Sequence, residues 1–223
     1  MIMVTGASGA LGSRVVSGLV GTGAHVVGVV DAAEATGMRH VVYTSLAGAG
    51  DLLSHRLGAP GDRAEIGRFR SDVDGAAQWA LRPTARPAAE SGVLDLPMGE
   101  GAIALVARDD LAEVAVRVAA EAAKGEHANR TYELAGDRAL DGTVIAAAIG
   151  EAAGRPVRDQ AASLGEFRKR LSSAGLLAYQ TAHSVSIYAN IAAGFLGSTE
   201  SDLSALLGRE SGDALGVIAA AAA

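Results

Sequence analysis

The chain is predicted to be an α/β protein: a Rossmann-like, doubly wound parallel sheet, reduced in strand number, followed by a smaller and mostly helical C-terminal part. Three observations predict it. A glycine-rich stretch joins a short apolar run to an amphipathic segment, strand-type and helix-type segments alternate through the first half, and helical segments dominate the second. The composition agrees, because 48 alanines and 29 glycines beside an aromatic fraction of 4% leave a core of small side chains suited to close helix-on-sheet packing.

Met1 to Thr5 is an apolar run stopped by Gly6, the pattern of a buried strand. Leu11, Val15, Val16, Leu19 and Val20 recur at helical spacing, and Gly21 and Gly23 end that helix. His25 to Val30 reads as a second buried strand and completes a βαβ unit. Ala32 to Thr36 is a short helical piece closed by Gly37, and Arg39 to Ser45 is a β-branched run of strand type. Leu46 to Pro60 is glycine-rich, with one helical turn around Leu52 to Leu57; residues 61–75 are polar and too weakly patterned to assign. Gln78 to Leu81 looks like a further strand, stopped by Pro83 and followed by a loop from Thr84 to Gly92.

Ala102 to Ala107 is strand-like, and Asp109 and Asp110 then place carboxylates where a helix N-terminus favours them, ahead of a helix over Leu111 to Lys124. Thr131 to Leu134 is a short strand. Thr143 to Ala153 and Leu164 to Ala174 read as helices, the latter opened by Ser163 and Glu166 in capping-box spacing. Leu176 to Ala193, Ser201 to Leu207 and Ala214 to Ala223 complete a helical second half, and no internal repeat is evident.

Gly6 to Gly12 spells G-x-x-G-x-x-G directly after a strand and at the opening of a helix. Glycine there permits the tight turn, lets the backbone approach a pyrophosphate and lets the helix pack close to the strand. The helix N-terminus adds unpaired N–H groups and a positive dipole end. Thr5, Gly6, Ala7, Ser8, Gly9, Ala10, Leu11 and Gly12 are therefore the expected dinucleotide cradle, set against the plainer reading of a glycine turn with no ligand.

This spacing, with Thr5 before it and Ala7-Ser8 inside, resembles the short-chain dehydrogenase superfamily. Val30 to Leu46, which includes Thr44-Ser45-Leu46, is similar to the helix, strand and T-S-L segment of NmrA-like proteins, a family that includes type-2 NAD(P)H:quinone reductases. Trp79 to Thr84 resembles their later strand ending in L-R-P. Ala88 to Val118, Thr131 to Gly136 and Leu206 to Arg209 follow the family's second half in order. The resemblance implies an NAD(P)-binding domain over residues 1–100, incomplete, and a substrate-side region over 101–223. It implies NADP or NAD as cofactor with NADP favoured, and contacts to the cofactor from Thr44, Ser45 and Leu46. It also implies a substrate pocket near Tyr43, His55, Arg82 and Thr84.

The chain departs from the family after its second strand. The family places a helix, a strand, another helix and another strand ahead of the segment at Asp31, and roughly two strand–helix units of about 30 residues each are missing. Asp31 thus has two readings: at the tip of the second strand, where an acid holds the ribose 2′-hydroxyl of NAD, or a polar residue of a later helix. Arg14 is open to a similar choice between an NADP 2′-phosphate and a solvated helix surface. Ser45 either touches the nicotinamide ribose or caps its strand, and Tyr43, His55, Arg82 and Thr84 each carry the plainer reading of a packing or surface residue.

Of 19 basic residues only Lys124 and Lys169 are lysine, and this decides a mechanism. Most short-chain dehydrogenases pair a tyrosine acid with a lysine four residues later; here Tyr43, Tyr132, Tyr179 and Tyr188 are followed at that spacing by Ala47, Gly136, His183 and Ala192. No catalytic residue is assigned. A quinone needs no strong protein acid, because its phenolate is stable and takes a proton from water, so positioning supplies the rate. The first expectation is hydride transfer from NAD(P)H to a quinone-like acceptor; the second is a non-catalytic NAD(P) sensor with a regulatory protein partner. A homodimer is left open.

The absence of cysteine removes thiol catalysis, iron–sulfur clusters and cysteine zinc sites, and gives no support to secretion. A cytoplasmic protein is expected, since the N-terminal run has no basic region before it and breaks at Gly6. With net charge −6 and no basic run longer than Arg168 to Arg170, a nucleic-acid partner is not expected. Val217 to Ala223 is far shorter than the roughly 20 residues that span a bilayer, so neither is a membrane partner. His25, His40, His127 and His183 show no metal-ligand spacing, and no metal is expected.

Overall fold

A computed structural model of the chain describes residues 2–3, 10–23, 26–27, 40–45, 65–71, 81–122, 124, 126–127 and 130–222. Its elements in chain order begin with β1 (Ile2–Met3), α1 (Ala10–Gly21), β2 (Val26–Val27), β3 (His40–Ser45) and β4 (Glu65–Ser71). Next come α2 (Arg82–Ser91), β5 (Val93–Leu94), β6 (Ile103–Ala104), α3 (Arg108–Ala122), β7 (Thr131–Leu134) and β8 (Ala139–Leu140). The chain continues through α4 (Gly142–Ala153), β9 (Arg158–Asp159), α5 (Leu164–Ser173), α6 (Ala178–Ala192), α7 (Leu203–Leu207) and α8 (Ala214–Ala219), with a final 3-10 turn at Ala220–Ala222. They form two compact units that interleave in sequence: Met1–Asp72, Val106–Leu134 and Ser201–Gly212 in the first, Val73–Leu105, Ala135–Glu200 and Asp213–Ala223 in the second.

The first unit carries the parallel pairings expected of a doubly wound sheet. β1 pairs with β2 across α1, and β3, β4 and β7 form a three-stranded parallel ladder with β4 in the middle. α3 packs two ways. Ala112 and Ala115 meet Val15 and Leu19 of α1, while Leu111, Val114 and Val118 join Leu134, Leu203 and Leu207 in a second cluster. The α1–α3 approach is close enough that a Cβ built on Gly18 would stand 2.6 Å from Val116 Cγ2.

β4 corrects the expectation that residues 61–75 hold no assignable element. In Glu-Ile-Gly-Arg-Phe-Arg-Ser the two large apolar residues, Ile66 and Phe69, fall on opposite parities and a glycine sits between them, so period-2 alternation is invisible.

In the second unit β5 pairs in parallel with β9, and β6 pairs antiparallel with β8. The strand expected over Ala102 to Ala107 shrinks to Ile103–Ala104. α2 overturns the strand-then-loop reading of Gln78 to Gly92 from Leu81 onward: Arg82 and Thr84 stand in the first turn of a helix rather than at a strand end. Pro83 occupies the start of that helix, where the missing N–H has no intrahelical partner to lose, and Gly92 closes it in a left-handed conformation with φ 73°. The overlooked signal was burial at helical spacing, since Leu81, Ala85, Ala88 and Ala89 are all buried in one core. Pro87 is tolerated on the exposed face.

The helices expected from Leu111 onward and the strand Thr131–Leu134 are present with small shifts of boundary, while the helical piece over Ala32 to Thr36 and the turn around Leu52 to Leu57 lie outside the described residues. α5 opens on the expected capping box, with Ser163 Oγ accepting from Glu166 N–H at 3.2 Å and Glu166 Oε2 accepting from Ser163 N–H at 3.0 Å. Asp141 caps α4 by accepting from Val144 N–H at 2.8 Å. Asp159 lies against the start of that helix, and a Cβ on Gly142 would meet its Oδ2 at 2.4 Å. Burial, then the charge of Asp141, holds the Asp159 carboxyl above the usual carboxylate range.

Two measurements check this packing. Gly101 and Gly136 lie where a Cβ would meet the carbonyl oxygens of Ile191 at 1.9 Å and Leu105 at 2.0 Å, whereas one on Gly165 meets nothing nearer than 3.9 Å. Gly101→Ala and Gly136→Ala should each cost about 1–3 kcal/mol, lowering Tm by roughly 2–4 °C per kcal/mol, while Gly165→Ala is neutral or stabilising. Asp159 binds a proton more tightly folded than unfolded, so its ionisation opposes folding once the pH rises past the ordinary carboxylate range. Asp159→Asn should therefore raise Tm at neutral pH, with the gain shrinking toward zero below about pH 4; a gain independent of pH would refute the assignment.

Candidate functional site

The glycine loop is flanked by a βαβ unit. Ile2 pairs with Val26 and Met3 with Val27, so α1 is the crossover between two parallel strands and begins, at Ala10, on the carboxyl side of β1. Its first turn holds no acidic residue, which leaves the positive end of the helix dipole available to an anion. Ala10, Leu11 and Gly12 open this helix. Leu11 is partly buried against both apolar clusters on α3, so its side chain is given to packing. Thr5, Gly6, Ala7, Ser8 and Gly9 lie outside the described residues, as do Asp31, Leu46 and His55.

Thr44 and Ser45 end β3, and Tyr43 precedes them. Register places Ser45 beside Arg70 and Arg70 beside Glu133, one row short of the carboxyl edge of β4 and β7. Ligands bind outside that edge in parallel α/β sheets. Arg70 is thus a cationic neighbour of Ser45 that the sequence did not reveal, because its strand was not recognised. Arg82 and Thr84 belong to the other unit, where Thr84 Oγ1 donates to Leu81 carbonyl oxygen at 2.6 Å and is engaged in its own helix turn.

Arg14 and Asp109 form an ion pair between α1 and the first turn of α3. Both side chains are largely exposed, and such a pair stabilises little. Asp110 next to it is different. Its carboxylate is buried, accepts from Gly212 N–H at 2.5 Å and from Arg209 Nη2 at 2.7 Å, and Arg209 also reaches Glu113. These contacts, Glu113 first, hold the Arg209 guanidinium further in its charged form. The predicted helix-N-terminal carboxylates are therefore real, and Asp110 in addition clamps the segment that follows α7.

Tyr188 is fully buried edge-on to Phe167, and burial pushes its phenol up; Tyr132 is also raised, chiefly by burial.

No family model matches the chain. Among curated proteins it is 34% identical over 157 residues to quinone oxidoreductase 2 of Escherichia coli, covering 66% of this chain and 52% of that protein. It is 29% identical over 163 residues to the NAD(P)H azoreductase of Xenophilus azovorans, covering 66% of this chain and 53% of that protein. The chain spans about half the length of the curated relatives it matches. Among solved structures, an NADPH-dependent quinone oxidoreductase from Escherichia coli superposes with TM-score 0.81 at 24% identity, over 98% of each chain. The Citrobacter sp. triphenylmethane reductase complexed with NADP(H) superposes with TM-score 0.80 at 20% identity, over 99% of each chain.

The fold is accordingly that of the Rossmann-like reductases. In its ordered motifs and its sequence relatives the chain is similar to the NmrA-like atypical short-chain dehydrogenase/reductases. No helix among the described residues is long and apolar enough to cross a membrane.

Asp110→Ala should destabilise the chain by about 1.5–3 kcal/mol, the range for hydrogen bonds to a charged group. Asp110→Asn, which keeps an acceptor for Gly212 N–H, should fall between it and the parent in urea denaturation. Equal losses for the two variants would show that the charge on Asp110 is the whole of its role.

Proposed function

We propose that the chain is an NAD(P)H-binding oxidoreductase that transfers hydride from the reduced nicotinamide to a quinone-like small molecule. The observation that carries this reading is the parallel β1–α1–β2 unit around G-x-x-G-x-x-G, with a helix start free of acidic residues. The relatives named as quinone and azo reductases support the same chemistry. A bound NAD(P)H supplies the hydride, and the acceptor takes its proton from water.

The chain's own residues hold and orient. Backbone N–H groups of residues 6–12 receive the diphosphate at the start of α1. Thr44, Ser45 and Leu46 sit against the nicotinamide ribose at the carboxyl edge of β3, with Arg70 in the adjacent row adding positive charge beside it. Tyr43, Arg82, Thr84 and His55 are candidate substrate neighbours. NADP is favoured over NAD, since relatives of the fold are named for NADPH or NADP(H). Rate then comes from holding donor and acceptor in line, worth several kcal/mol without any protein acid.

Titrating NADPH and NADH against the fluorescence of Trp79, then following NADPH absorbance with a simple quinone, tests this directly. Saturable binding with turnover is expected, NADPH binding more tightly. Binding without turnover would instead make the chain a sensor, and absence of binding at millimolar nucleotide would exclude both. Gly9→Asp sets a carboxylate against the phosphates and should abolish binding while leaving the circular dichroism spectrum unchanged.

A further inference from the structure

A cluster of side chains at the opposite end of the first unit's sheet has no part in the proposed reductase site. Glu121, in the last turn of α3, and His127, in the segment leading to β7, stand with Oε2 and Nε2 2.7 Å apart. The other ring nitrogen, Nδ1, is 2.6 Å from the hydroxyl of Tyr132 in β7. Glu126 completes the group: one carboxylate oxygen from each glutamate and one imidazole nitrogen all lie within 4.8 Å of one another. His127 has φ +65°, and among the described residues it is the one non-glycine with a positive φ. Side chains rarely adopt that backbone, and positions that do are concentrated where a ligand or a site over-determines them.

From this arrangement we infer that Glu121, Glu126 and His127 form a binding site for a borderline divalent cation of the zinc class, held by one nitrogen and two carboxylate oxygens. The donor set is right for such an ion, and two carboxylates with a neutral imidazole balance its charge. Ligand atoms around a tetrahedral zinc at about 2.0–2.1 Å stand roughly 3.4 Å apart, so Glu121 and His127 need only part slightly while the exposed Glu126 swings in. Tyr132 supplies what metal-binding histidines require of their surroundings: with a proton on Nδ1 directed at the phenol oxygen, Nε2 is left as the free donor facing the carboxylates. The ion ties the end of α3 to the start of β7. Its fourth position is left to water, and its role is structural, since the carboxyl edge where the nucleotide is proposed to bind lies at the other end of these strands.

The survey of histidine spacing does not reveal this site because only one of its ligands is a histidine. The inference is independent of the reductase reading, and its test does not use turnover. Untagged full-length chain is titrated with Zn2+ by calorimetry and, with Co2+ as a spectroscopic probe, by visible absorption. One ion per chain in the micromolar range is expected, with Tm rising with Zn2+. His127→Gly keeps the positive φ without strain and should lose binding, Glu126→Gln should weaken it, and Tyr132→Phe should weaken it by roughly 10-fold or more. His183→Ala should leave it unchanged. Binding that survives His127→Gly, or no binding at millimolar Zn2+, overturns the assignment.

Discussion

The first unit depends on one helix having two different apolar faces. Along α3 the small residues Ala112 and Ala115 let α1 approach closely, while Leu111, Val114 and Val118 reach further to Leu134 of β7 and to Leu203 and Leu207 of α7. Exchange the sizes and neither side packs: a large residue in place of Ala115 would drive α1 away, and with it the start of that helix. The buried carboxylate of Asp110 belongs to the same constraint. It fixes the first turn of α3 to Gly212 and Arg209, so the segment carrying α7 returns to the helix it covers. Asp202 and Glu133 complete that return, with Asp202 N–H donating to the Glu133 carbonyl at 2.7 Å and Glu133 N–H donating to Asp202 Oδ2 at 3.0 Å. These bonds occupy backbone groups on the exposed side of β7 that would otherwise be left as a sheet edge.

What could be read from the sequence is what local chemistry dictates. The capping box of α5 and the acidic first turn of α3 each rest on side chains within three or four positions of the backbone they serve. The helix from Ala10 was legible for a like reason, since Leu11, Val15 and Leu19 recur at helical spacing. β4 was not. Its place at the centre of a ladder comes from pairing Val41 with Ile66 and Phe69 with Tyr132, partners far away in the chain, and its own side chains do not alternate. Because the strand was missed, so was Arg70 beside Ser45. α2 differs for another reason: Pro83, which reads as a stop, lies in the first turn of the helix where it costs no hydrogen bond, while the buried row from Leu81 to Ala89 carries the helical period throughout. Asp110 with Arg209, and His127 with Tyr132, were beyond the reach of spacing arguments, since the first pair is 99 residues apart and the second depends on a left-handed backbone no motif announces.

The shortage of lysine bears on the proposed function. A carbonyl must be protonated as hydride arrives, because an alkoxide is a poor product in water, and that need explains a tyrosine kept acidic by a neighbouring lysine. Burial raises Tyr132 and Tyr188, and no tyrosine in the sequence has a lysine four residues on. An acceptor whose reduced form is a delocalised anion sets no such demand, and quinones and azo compounds share that property. Under the proposed function the absent tyrosine–lysine dyad would suit an acceptor of that kind, with the rate set by the distance between donor and acceptor.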